Sequence, residues 1–229
     1  MPFHTRLNVF RPILAGATLA DRALACLGAA IGIALTGYVS ALLAPEALHG
    51  LWLVPPMGAS AVLLFAVPAS PMAQPWPAIG GNVLSALVGV LVAHVMPLSA
   101  LSAGIAVGVA IGVMSMTRCL HPPGGASALV GLFAGASSSF LFPLLPVGIN
   151  AVLLVGCAWL YHRVSRHSYP HVVALAKLDA PVPPWSFSRG DLAAAIEEGG
   201  ETLDIDPADL ERLLRDVEQR ALLRMRAAD

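Results

Sequence analysis

Charge is almost missing from the middle of this sequence. From residue 23 to residue 162 only Glu46 and Arg118 are charged. Charged residues make up 12% of the chain and hydrophobic ones 57%, with a mean hydropathy of +0.75. A soluble domain carries about 25% charged residues, so this span belongs in lipid or in a protein interior facing lipid. The shortage also excludes chemistries. One carboxylate, Glu46, cannot supply a paired-carboxylate mechanism. No basic tract argues for nucleic acid. Cys26, Cys119 and Cys157 lie in apolar segments without metal-ligand spacing, and read as small core residues rather than disulfides or ligands. His94, His121 and His162 are too scattered for a metal site. Asp204, Asp206 and Asp209 lack the glycine and closing glutamate of a calcium loop. A Ser–His pair drawn from Ser60 or Ser127 with His121 or His94 has no strand–turn–helix nucleophile context. No enzyme activity, cofactor or metal is expected.

What is present is a repeated string. His121-Pro122-Pro123-Gly124-Gly125-Ala126-Ser127-Ala128 echoes Pro55-Pro56-Met57-Gly58-Ala59-Ser60-Ala61. Both share Pro-Pro followed by Gly-Ala-Ser-Ala, which reads as the relic of an internal repeat. The proline pair stops an incoming helix, and the same proline suits the first turn of a new one. The small residues that follow let backbone or ligand come close.

In chain order, residues 1–22 are polar and basic, with Arg6, Arg11 and Arg22. The apolar run 23–44 exceeds the 7–15 residues of a signal peptide and suits a retained span. Its Gly28 and Gly32 allow close helix packing. A polar turn at 45–50 follows. The segment 57–67 spans about 16 Å as helix, roughly half the hydrocarbon core. It is a half-helix starting near the midplane, or a kinked span. The loop 68–77 carries Gln74 and an interfacial Trp76. The third apolar segment, 79–95, places Gly81, Ser85 and Gly89 on one face, with Asn82 near its start. The fourth, 98–117, places Gly104, Gly108 and Gly112 on one face. These stripes predict close helix packing, or a face for a homo-oligomer. The second broken segment is 124–134. The last span, 144–161, has Asn150 near its start and a basic flank after Tyr161.

Basic flanks at 1–22 and 162–177 put both termini in the cytoplasm, so the crossings are even in number. Re-entrant broken segments give four. Crossing ones give six, with inverted repeats and Arg118 on the cytoplasmic side, as the charge rule favours. The expected fold is all-α. It is a polytopic membrane helical bundle of two internal repeats, with four full spans and two Pro-broken or re-entrant segments, or six crossings. The expected parts are a cytoplasmic N-terminal segment 1–22, a membrane domain 23–171, a Pro-rich linker 172–185 and a soluble helical tail 186–229. In the tail, Ser188 caps one helix, and Asp206 with Pro207 opens an amphipathic second.

Two helices starting near the midplane would aim their first N–H groups inward, a ready anion site. Broken helices in paired repeats are the usual pointer to a transporter's binding site. The candidate substrate-contacting residues are Pro56, Gly58, Ala59 and Ser60 in the first copy. In the second they are His121, Pro122, Pro123, Gly124, Gly125, Ala126 and Ser127. Arg118, Gln74, Asn82 and Asn150 join them. Each has a plainer reading. The breaks are packing features, His121 locks the Pro-Pro turn, Arg118 anchors topology, and Gln74, Asn82 and Asn150 are structural glue. The sharper reading of His121, which has Val54 as its counterpart, is a proton carrier beside an anion.

At His121-Pro122-Pro123-Gly124-Gly125-Ala126 the chain resembles the HPP family of integral membrane proteins. Gly58-Ala59-Ser60-Ala61-Val62-Leu63-Leu64-Phe65, Ser70-Pro71-Met72-Ala73-Gln74-Pro75, Gly80-Gly81 and Ser168-Tyr169-Pro170 are similar to the family's other signatures. The resemblance runs from residue 20 to residue 171 or thereabouts. Members are usually described with four spans, which fits re-entrant segments and opposes the count of six. Some members, in cyanobacteria and plastids, are implicated in nitrite transport, so the resemblance implies a small-anion path. The tail, from Phe187-Ser188 to Asp209-Leu210, resembles the segment that bacterial members carry before paired CBS domains. The sequence ends at Asp229, and those domains are not expected in it. The expected function is a transporter of a small anion such as nitrite in the cell inner membrane, with the lipid bilayer as surroundings. The other class is a non-transporting scaffold or sensor with the tail as its output.

Overall fold

The computed structural model describes residues 19–43, 52–165, 167–172, 187–199 and 205–226. Glu46, the turn at 45–50 and most of the linker 172–185 lie outside them. All regular structure among the described residues is helical. Helix α1 is Leu19–Leu43, α3 is Pro75–Val95, and α6 is Ile149–Ser165, entered through an irregular turn at Pro143–Gly148. These three are long and apolar enough to cross a membrane, α6 together with its entry turn. Helix α4, Ala100–Met116, has 17 residues, and α2 (Pro56–Ala66) and α5 (Pro123–Phe133) have 11 each. Eleven residues rise about 16 Å, half of a core of about 30 Å.

The starts follow from the prolines. Pro56 and Pro123 occupy the first helical position, where a missing N–H costs nothing. Pro75 does the same for α3, which therefore begins four residues earlier than the apolar run suggests. Helix α4 opens on a reciprocal Ser99–Ser102 capping box. It closes with Arg118 in the left-handed region, φ 55°. Cys119 N–H there donates back to Met114 O at 2.9 Å, and Arg118 N–H to Ser115 O at 3.3 Å. This reversal turns the chain toward His121. Helix α1 already includes Leu19, so Arg22 lies in a helix rather than ahead of it.

Helix directions can be read from what faces what. Gly81 lies against His121, Gly89 against Ala128, and Gly131 against Ala86, so α3 and α5 run side by side in one direction. Gly28 lies against Tyr161, and Ser40 bonds Asn150, so α1 and α6 are antiparallel. Trp76 Nε1–H donates to Thr117 O, setting α4 antiparallel to α3. Val54 meets Asn150 and Leu64 meets His162, so α2 descends with α6. Gly148, just ahead of α6, lies against Val83 of α3, and Tyr169, after α6, bonds Ala73 O just ahead of α3. So α6 and α3 are antiparallel and successive helices alternate, α1, α3 and α5 one way and α2, α4 and α6 the other.

Two apolar cores result. One joins α2 and α6 through Val54, Met57, Leu64, Phe65, Val147 and Leu154. The other joins α3, α4 and α5 through Val88, Val92, Ala106, Ala110, Ala128 and Leu132. The α3 stripe of Gly81, Ser85 and Gly89 packs within the bundle as expected. The α4 stripe does not. A Cβ on Gly104, Gly108 or Gly112 would meet nothing within 4 Å. Cys26 is exposed on α1 rather than in the core. In the tail, α7 is Arg189–Gly199 and α8 is Pro207–Arg226, capped by Ser188 and Asp206 as expected.

Candidate functional site in the bundle core

The first turns of α2 and α5 meet at Asn82. Its Nδ2 donates to Ser60 Oγ at 3.2 Å and to Ala78 O at 2.8 Å. Its Oδ1 accepts from the Ser127 hydroxyl. Ser60 and Ser127 are equivalent positions of the repeated string, so one amide ties both copies together. His121 completes the node. Its Nδ1 lies 2.8 Å from Met72 O and its Nε2 lies 2.8 Å from Ser60 Oγ. A carbonyl only accepts, so Nδ1 carries the hydrogen and Nε2 accepts from Ser60. Every polar atom of the chain Ser127–Asn82–Ser60–His121–Met72 then has a partner of the right kind. All four side chains are buried, His121, Asn82 and Ser127 completely. Satisfied networks of this sort rigidify a core and fix one arrangement. A second proton, at Nε2, would reverse the bond to Ser60 and leave that hydroxyl to find another acceptor.

The backbone around the node is equally engaged. Met57 and Gly58 N–H donate to Val54 and Pro55 carbonyls, and Gly124 and Gly125 N–H to those of His121 and Pro122, at 2.8–3.1 Å. The first N–H groups of both short helices therefore close tight turns. Ser85 is the exception beside the node; among the described residues the other buried hydroxyl of this kind is Thr36, on α1. The Ser85 hydroxyl is fully buried and without a partner there. It lies 2.9 Å from where a Cβ on Gly124 would stand, beside Met114 Sδ at 2.7 Å and Gly81 O at 2.9 Å. Gly124 is thus held to glycine by contact, whereas Gly125 would place its Cβ 3.9 Å from Val107 and Gly58 would meet nothing.

The other sequence candidates separate. Asn150 forms its own cluster, accepting from Val54 N–H at 2.8 Å and donating to Ser40 Oγ and Trp52 O. It grips the chain entering α2, at the position matching His121 in the other copy. Gln74 donates to Pro68 O and Ser70 O at 2.9 Å and accepts from His171 N–H, holding the loop that presents Met72. Pro56 and Pro123 are buried, while Pro122, Ala59, Ala126 and Arg118 face outward. Two supporting residues escaped the sequence reading. Tyr169 O–H donates to Ala73 O at 3.0 Å, and burial pushes its phenol well above the usual range, so it stays a donor. His162, buried, bonds Leu64 O at 2.8 Å at the end of α2. The Ser-Tyr-Pro signature was the only signal for the first. Nothing local marked the second.

Alternating apolar helices around a buried polar node define a polytopic α-helical membrane protein. Residues 15–170 match the model of the HPP transmembrane region, and the chain belongs to the HPP family. Two Dictyostelium discoideum proteins described as transmembrane proteins are similar to it. One is 34% identical over 125 residues, covering 52% of this chain and 44% of its own length. The other is 32% identical over 127 residues, covering 52% and 41%. The chain thus spans less than half the length of these relatives. No solved structure matches.

Proposed function

We propose that this protein moves a small anion, nitrite being the first candidate, along a path built at the N-terminal ends of α2 and α5. The observation that carries the reading is the meeting of two short, oppositely directed helices at one buried polar node, Asn82 with Ser60, Ser127 and His121. Broken helices in paired repeats, placed at the midplane, are where many transporters bind their substrates. Their N-terminal dipoles favour an anion. The polar groups for it are the two serine hydroxyls, His121 and the unpartnered Ser85, since the first-turn N–H groups are already bonded. Arg118 would add positive potential at the end where α4 closes.

The architecture supports paired repeats. Helix α1 packs on α2 and α6 as α4 packs on α5 and α3. We read α1–α3 and α4–α6 as inverted copies that make six alternating passes, two of them half-length. Both termini then lie on the cytoplasmic side of the inner membrane. The outward glycine face of α4 is the natural place for a second copy.

Nitrite flux into liposomes, measured from pH 5.5 to 8, tests the reading. Wild type should transport. Gly125→Leu should block flux while folding normally, because its first side-chain atom has room. Ser85→Ala should lower flux without loss of stability, since the hydroxyl it removes has no partner among the described residues. His121→Ala should alter the pH profile. Absence of flux in wild type favours the second reading, a scaffold or sensor. The closed hydrogen-bond network supports that alternative, as does the contact of the tail with the bundle through His171 Nε2 and Asp209 Oδ2 at 2.7 Å.

A further inference from the structure

Helix α8 turns charged residues inward beside the half-buried Leu210, Leu214 and Ala221. Glu211 is buried and ion-paired to Arg215 at 2.9 Å, and Arg215 lies over the Phe187 ring. Glu211, Arg215 and Leu222, spaced i, i+4 and i+11, form the inward face, Arg215 and Leu222 being half-buried. The opposite face carries Leu213, Val217, Arg220 and Arg224, also spaced i, i+4, i+7 and i+11, and all four are exposed. Leu213 and Val217 are 55% and 56% exposed, an apolar surface that water does not reward. Leu223 and Met225, also exposed, lie on either side of this face near the helix end.

Two further observations say what covers it. From residue 219 to 226 the sequence carries Arg220, Arg224 and Arg226 and no acid. The first turn of α8 is held at one end of the bundle, where Asp209 bonds His171 and His171 N–H bonds Gln74. His171 follows the end of α6, whose Trp159 and Arg163 stack as an interfacial pair at 3.9 Å. A second copy of α8 laid on it in parallel would set arginines against arginines; of the acids flanking that face, Asp209 is taken by His171 and Asp216 is exposed one turn before Arg220. We propose that α8 lies on an anionic bilayer surface, Leu213 and Val217 entering the acyl boundary and Arg220 and Arg224 meeting lipid phosphates. This is the pattern of an interfacial amphipathic helix, and it does not depend on the transport reading.

The test uses the full chain in nanodiscs of phosphatidylcholine alone or with phosphatidylglycerol. Val217→Cys and Gln219→Cys report the two faces, and the parent chain with its native cysteines gives the background rate. A water-soluble thiol reagent should label Gln219→Cys at least about tenfold faster than Val217→Cys in the anionic discs. Each arginine near an anionic surface contributes about 1 kcal/mol, about fivefold in partition. Adding Arg220→Glu and Arg224→Glu, or removing phosphatidylglycerol, should therefore raise labelling at Val217→Cys severalfold. A fluorophore at Val217→Cys should be quenched by lipids brominated along their chains. Equal labelling of both faces would overturn the proposal. So would protection of Val217→Cys without bromine quenching but with cross-linking between copies, which would assign the face to a second chain.

Discussion

Gly89 and Gly131 are glycine because backbone lies where their side chains would go. A Cβ on Gly89 would strike Ala128 O, and one on Gly131 would strike Ala86 O. Backbone cannot step aside as a flexible side chain can. Gly89→Ala and Gly131→Ala should each cost about 1–3 kcal/mol or more through overpacking, read as a lower melting temperature in detergent. Gly108→Ala, with nothing near its Cβ, should be neutral or stabilising. Asn82→Ala should be the most damaging polar change, since it orphans Ser127 at about 1–3 kcal/mol and takes from Ser60 its donor, leaving that hydroxyl only its bond to His121. Ser127→Ala removes one bond and should cost about 0.5–1.5 kcal/mol, although the orphaned Asn82 Oδ1 pushes toward the upper end. The sequence alone marks Asn82 and His121 as polar groups in need of partners, because lipid makes an unpaired group expensive, and Ser60 and Ser127 as matched hydroxyls of the repeated string. It does not pair them. Those partnerships span 22 to 61 residues, and chain proximity says nothing about them. His162 was out of reach for the same reason, lying 98 residues from Leu64.

Among elements, the two short helices were legible nearly to the residue, because proline fixes a start whatever surrounds it. Helix α3 was harder. Pro75 and Pro77 look like loop, yet the first turn of a helix tolerates both. The stripe on α4 carries the same two expectations as the one on α3, packing or a homo-oligomer face, since glycine spacing shows closeness without saying to what. Helix α7 offers an element-scale prediction. Ser188 N–H donates to Asp191 Oδ2 at 2.7 Å, and Asp191 N–H donates to Ser188 Oγ at 3.2 Å. Those bonds from Ser188 hold the Asp191 carboxyl below its ordinary value of 3.8. A depressed acid stabilises above its unfolded pKa, and the contribution is lost as pH falls through the folded one. Hydrogen exchange at the first turn of α7 should therefore speed up, beyond the intrinsic rate, as the pH falls below about 4. Asp191→Asn should abolish that pH response.

For the molecule as a whole, charge returns to the sequence at Arg163, near the end of α6, and the segment after it stays bonded to the bundle through Tyr169 and His171. The tail touches the bundle through the His171–Asp209 bond, whereas His171 N–H keeps Gln74 without it. Deleting residues 186–229 should leave a monodisperse bundle with its melting temperature nearly unchanged; aggregation on size exclusion would show that the tail is part of the fold. The packing plan carries a different consequence. The third helix of each half leaves its own half, since α3 rests on α4 and α5, and α6 on α1 and α2. A chain cut between α3 and α4 would therefore yield two fragments, neither able to close its core alone. Cut at the exposed Pro97-Leu98 linker and made together, they should reassemble as a non-covalent pair that purifies through a tag on either piece. Made singly, each should be degraded. If the halves are the inverted copies proposed above, an ancestral gene half this size would have needed a twin inserted upside down, each lending the other a helix, and fusion would have made that loan permanent.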